Sequence, residues 1–163
     1  MKGLSLLLRF TLTLLFILSL VWDSLAQNRP SDQKPGSVLV FPYYTSNINF
    51  TADTLLSISN IGTTSVYVRL YFMEGISCWQ ADTAAFLTPN ATLTIKASEY
   101  VPIETGYLIA VAVDQNGNVI ANGGLTGSAF VKAPAGYLIP GAGEVRGNYA
   151  ATAFTSLVAI APN

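Results

Sequence analysis

From residue 37 to residue 132 the apolar positions recur with the period of strands, and almost no stretch repeats at helical spacing. The clearest segment is Ser65 to Met73. Val66, Val68, Leu70 and Phe72 alternate with Tyr67, Arg69, Tyr71 and Met73, so the first set predicts a core face and the second an outer face. Upstream, Ser37-Val38-Leu39-Val40-Phe41 is β-branched and apolar, and Pro42 limits its continuation, which predicts a strand near a sheet edge followed by a polar, aromatic loop from Tyr43 to Phe50. Thr54 to Ser59 alternates Leu56 and Ile58 with hydroxyl residues. The turn residues Asn60 to Thr64 then predict a hairpin with Ser65 to Met73.

Glu74 to Asn90 is irregular, with Cys78-Trp79 expected in a loop, and a short strand resumes at Thr92 to Lys96. Tyr107 to Val113 is nearly all apolar, and Asp114 to Asn118 contains an Asn-Gly pair suited to a left-handed turn. With Val119 to Ala121 returning, this segment predicts the core hairpin of the fold. Leu125 to Lys132 forms one more strand. The glycine- and proline-rich stretch 133–148 reads as a long loop around Tyr137-Leu138-Ile139, and Tyr149 to Ile160 as a closing strand with a short helix as the alternative. Six to eight short strands of this kind predict an all-β fold, an antiparallel β-sandwich of immunoglobulin-like type, with a small β-barrel as the alternative.

The first residues follow another pattern. Lys2 and Arg9 precede the apolar run Phe10 to Val21, and Ser24-Leu25-Ala26 places small residues at a cleavage site, so residues 1–26 read as a signal peptide cut after Ala26. The expected chain is therefore secreted, periplasmic or held at the cell surface, with no membrane span left after cleavage. The run is shorter than the ~20 residues that a spanning helix needs. Residues 27–36, polar and carrying Pro30 and Pro35, predict a flexible leader, and 37–163 a single domain.

Removing residues 1–26 from 163 leaves 137, enough for one core. Six basic residues then face eight acidic ones, a net charge of −2 with no basic cluster, which argues against a nucleic acid partner. Charged residues are only 10% of the chain, against ~25% in typical soluble domains, so the surface is built from Thr, Ser, Asn, Gln, Tyr and Gly.

That composition also limits the chemistry. The chain has no histidine, which removes histidine-based triads, histidine-bound zinc and the usual proton shuttle. Cys78 is its lone cysteine, expected as a buried, inert thiol, with an intermolecular disulfide or a reactive thiol as the alternatives. Glu99 and Glu104 are the nearest pair of glutamates for glycosidase chemistry, but exposed acids flanking Val101-Pro102 explain them. Asp114, Asn116 and Asn118 offer oxygens at alternate positions as calcium loops do, although the glycine is misplaced and no glutamate closes the loop. Catalytic, metal and cofactor sites are accordingly expected to be absent. Asn49 and Asn90 fit the N-glycosylation triplet.

Several stretches carry a resemblance: Gly36 to Phe41, Ser57 to Asn60, Leu87 to Asn90, Lys96 to Ser98 and Thr105 to Asp114. Together they resemble uncharacterised secreted bacterial proteins, over most of residues 36 to 132. The resemblance implies an exported β-sandwich without an assigned activity. It also implies a second cysteine near the position of Phe86, which this chain lacks.

The expected role is a non-enzymatic exported domain that is structural, adhesive or assembles at a surface with other extracellular proteins. Self-association would run through an edge strand, either Ser37 to Phe41 or the Ala/Thr-rich tail. The rival is a small-ligand or glycan-binding module in which Tyr43, Tyr44, Tyr67, Tyr71 and Trp79, with Arg69, form an aromatic patch.

Overall fold

The computed structural model describes residues 34–155, apart from 103, 122 and 139. The expected signal peptide, most of the leader and residues 156–163 of the tail lie outside the described residues. Among the described residues nine strands form in chain order: β1 (Val38–Ser46), β2 (Asp53–Asn60), β3 (Val66–Glu74), β4 (Gln80–Leu87), β5 (Thr92–Lys96), β6 (Glu104–Val113), β7 (Leu125–Ala133), β8 (Val145–Ala150) and β9 (Thr152–Phe154). They build two antiparallel sheets, ordered β4-β3-β6-β1-β9 and β5-β2-β7-β8, which do not close into a barrel. From β2 to β6 the chain follows the immunoglobulin-like Greek key. β3 lies between β4 and β6 in one sheet, while β5 pairs with β2 in the other.

Alternation does what the sequence pattern predicts on β3, where Val66, Val68, Leu70 and Phe72 are buried. They meet Leu39, Phe41, Leu108 and Ala110 of their own sheet and Leu56, Ile58, Leu125 and Ala129 of the facing one in a single core. The sheets approach closely where β7 has no side chain. A Cβ at Gly127 would stand 2.6 Å from Phe41 Cζ and 3.0 Å from Leu39 Cδ1, so the Phe41 ring fills the space that Gly127 leaves.

The expected hairpin of β2 with β3 does not form, because the two strands lie in different sheets. Asn60, fully buried, shows why: its Nδ2 donates to Thr64 O (2.8 Å), Leu87 O (3.2 Å) and Thr88 O (3.2 Å), and its Oδ1 accepts from Gly62 N (3.0 Å). One side chain thus ties the β2–β3 crossing to the β4–β5 crossing at one flank of the sandwich. At the other flank the chain passes from β8 to β9 through Ala151, whose N–H donates to Gly127 O at 2.9 Å.

The core hairpin expected after β6 is likewise reduced to one bridge, Val113 to Val119, and the next strand, β7, lies in the other sheet. The turn itself is well made. Gly117 is left-handed (φ 86°), and the Asp114 carboxylate accepts from Asn116 N (2.8 Å), Asn118 N (2.9 Å) and Asn118 Nδ2 (3.1 Å). These bonds, that of Asn118 Nδ2 foremost, hold the Asp114 carboxyl below its ordinary range. They also account for the alternating Asp114, Asn116 and Asn118 as a turn.

Strand β1 continues past Pro42 to Ser46 instead of giving way to a loop. Two residues of β1, Pro42 and Tyr43, stand against one of β6, Tyr107, between the pairs Phe41–Leu108 and Tyr44–Gly106, so a bulge absorbs the proline and shifts the inward parity from Phe41 to Tyr44. Nor is Ser37 to Phe41 an edge, since Val38 to Val40 pair with β6 on one side and β9 on the other.

Candidate binding face

The outward side chains of β3 stand in register with those of its neighbours. Tyr67 lies opposite Phe86 and Val113, Arg69 opposite Ala84 and Val111, Tyr71 opposite Asp82 and Ile109, and Met73 opposite Gln80 and Tyr107. Val40, opposite Ile109, extends this surface onto β1. Tyr67 and Phe86 are 41% and 54% exposed, and their rings meet at 4.9 Å with a 53° tilt, a cross-strand aromatic pair held toward solvent. The face is therefore apolar and aromatic where a solvated sheet normally carries polar residues.

Its strand positions include two charges, Arg69 and Asp82. Arg69 lies over the sheet toward the turn after β6, its Nη2 3.9 Å from where a side chain at Gly117 would begin. It points away from Asp82, and neither residue joins an ion pair among the described residues.

Of the expected aromatic patch, the structure brings together Tyr67, Arg69 and Tyr71. Trp79 sits beyond the Met73–Gln80 pair, at the far end of the β3–β4 hairpin, about 20 Å along the strand from Tyr67. Tyr44 is fully buried, edge-on to Phe72 (5.5 Å, 84°), with its hydroxyl donating to Met73 O at 3.5 Å. Burial, reinforced by the nearby Glu104 and Glu74 carboxylates, pushes the Tyr44 phenol up to about 12. Tyr43 belongs to the bulge. Its carbonyl accepts from the Tyr149 hydroxyl, and burial raises the Tyr149 phenol to about 12 as well. The five-ring platform is thus corrected to two rings on the sheet, joined by Phe86 and Tyr107. Phe86 falls in the stretch read as irregular, where small Ala and Thr residues conceal the alternation of β4.

The hairpin end is ordered by Glu74. Its carboxylate accepts from the N–H groups of Ile76 (2.8 Å) and Ser77, while its own N–H donates to Trp79 O (2.8 Å). Hydrogen bonds from Ser77, then from Ile76, hold the Glu74 carboxyl below its ordinary range. Beyond it, Ile76 is 94% exposed, and Cys78 is exposed with a left-handed φ of 58°. The expectation of a buried thiol is overturned, because Cys78 occupies a turn position outside both sheets.

The glutamate pair acquires structural surroundings. Glu99 Oε2 accepts from Lys96 N (3.5 Å) at the start of the 3-10 turn Ala97–Glu99, and Glu104 N donates to Ser46 Oγ (3.2 Å) at the start of β6. No group of three or more His, Cys, Asp or Glu side chains comes together among the described residues. No helix among them is long and apolar enough to cross a membrane. Asn49 and Asn90 are both exposed.

No protein-family model and no curated protein matches the chain. The fold is similar to that in the crystal structure of Thermotoga maritima 1070, with a TM-score of 0.55 and 11% identity. The match covers 76% of this chain and 98% of that one, and at that identity the likeness concerns the fold alone.

Proposed function

We propose that the chain is an exported, non-enzymatic β-sandwich that works by contact, in a structural, adhesive or surface-assembly role, with the outer face of the five-stranded sheet as its contact surface. The observation that carries this reading is the register that aligns Tyr67, Phe86, Tyr71, Ile109 and Tyr107 outward on three neighbouring strands. Contiguous apolar patches on a sheet exposed to water mark interaction sites, and aromatic residues supply most of the energy at such sites. The signal-peptide pattern of residues 1–26 and the absence of histidine from the sequence support export and a non-catalytic role.

A photoreactive phenylalanine analogue placed at position 67 tests the reading in the secreting cell. It should form covalent adducts that weaken on Phe86→Ser and Ile109→Ser, whereas the same analogue at Ser57, on the other sheet, should not. Equal labelling from the two positions would remove the face from consideration. The second reading, a glycan module, is favoured by the exposed Tyr67–Phe86 pair beside Arg69, since sugars stack on such rings. It predicts saturable glycan binding lost on Tyr67→Ala.

A further inference from the structure

Resting on the reading of this face as a contact surface, we infer that its occupant is a second copy of this chain, packed face to face about a two-fold axis with Arg69 of each copy on Asp82 of the other. A two-fold interface must be self-complementary, each residue meeting a partner that it meets in return. The face satisfies that condition with its two strand charges. They have opposite sign, lie on adjacent strands, and are left without an ion pair among the described residues.

The register fixes the axis. Arg69 faces Ala84, and Asp82 is one strand over and two residues along, so the two Cα positions are separated by about 8 Å. The perpendicular bisector of that line passes over Tyr71 and, one strand further, close to Ile109, so each of these meets its own counterpart at the centre. An apolar centre flanked by two symmetry-related ion pairs follows. Arg69 needs only to swing from Gly117 toward the second copy. Four strands of eight to ten residues with the three residues of β9 give a footprint of roughly 600 Å² before side-chain relief is counted, against the ~800 Å² that each partner of a standard interface buries.

Size-exclusion chromatography with light scattering on purified residues 27–163, from about 1 to about 200 μM, is the test. The expected result is a mass that doubles with concentration in the wild type. Arg69→Asp and Asp82→Arg should each weaken association about tenfold or more, and Arg69→Asp/Asp82→Arg together should restore it to within about threefold. Both positions lie on the sheet surface, and unchanged circular dichroism and melting would show the variants folded. A monomer at the highest concentration, single variants that associate normally, or a double variant no better than the singles each overturns the inference. Adducts from position 67 to a different protein, with a monomeric purified chain, overturn the second copy as occupant and leave the contact face standing; absent adducts overturn both.

Discussion

Replacing Gly127 by alanine probes the closest approach of the two sheets. The new Cβ would stand 2.6 Å from Phe41 Cζ and 3.2 Å from Phe41 Cε1, whereas carbon atoms rest at about 3.5–4.0 Å. The ring must therefore retreat by about 1 Å inside a core where Phe41, Leu39 and Leu108 are fully buried. Overpacking of this kind costs about 1–3 kcal/mol. Loss of glycine's freedom in the unfolded chain offsets about 0.4–1 kcal/mol, which leaves a net destabilisation of about 1–2 kcal/mol. Phe41→Leu alone should cost about 1–1.5 kcal/mol, since it keeps most of the apolar volume. Combined, the methyl occupies space that the ring vacated, so the double variant should be about as stable as Phe41→Leu, a coupling of about 1–2 kcal/mol. Urea unfolding of residues 27–163 followed by circular dichroism measures all four corners of the cycle. Strict additivity of the two substitutions would refute the claim that these sheets meet at Phe41 and Gly127.

Other consequences follow from single side chains. Asn60→Ala strips the part-buried Gly62 N–H and three carbonyls of their partner and should cost about 2–4 kcal/mol, read by calorimetry as a fall in Tm of roughly 8–15 °C. Tyr44 and Tyr149, with folded-state values of about 12 against about 10 when unfolded, contribute stability that is complete below pH ~10 and lost as the pH climbs toward 12. Ultraviolet titration should show two late phenols and unfolding within that window. Glu74 has the opposite sign: its folded value is lowered, so its contribution is present above the ordinary glutamate range and disappears as the pH falls below it. Once residues 1–26 are removed, Trp79 is the one tryptophan of the chain, and its emission should change with a midpoint below that range. In Glu74→Gln the transition should vanish.

The strand alternation of Val66 to Phe72 and the apolar run of Tyr107 to Val113 were legible because burial on one face imposes period two on the chain. Sheet membership was not. Asn60-Ile61-Gly62-Thr63-Thr64 has the residues of a turn, yet what sends β3 to the other sheet is the bond of Asn60 to Leu87 and Thr88, groups 27 and 28 residues away. Strand β4 escaped notice because an edge strand can face inward with Ala81, Thr83 and Ala85, whose small side chains carry no strong contrast with Gln80, Asp82 and Ala84. Strand β8 lay hidden in a glycine-rich stretch for the same reason, with Val145 and Tyr149 as its partly buried residues. Of the candidate site, β3 showed half, Tyr67, Arg69 and Tyr71. Phe86, Tyr107 and Asp82 could join it only once the pairing of three strands was known, and Tyr44 left it because the bulge at Pro42 reversed which tyrosine faces inward.

Hydroxyl-radical footprinting addresses the contact face most directly, with oxidation of Tyr67, Phe86 and Tyr107 compared between the dilute purified chain and the chain in its secreted setting. The outward register of these rings predicts rapid oxidation in dilute solution and marked protection in place, while exposed residues of the other sheet such as Leu55 and Phe130 react equally in both. Identical oxidation of Tyr67, Phe86 and Tyr107 in the two settings would contradict a contact role for this face.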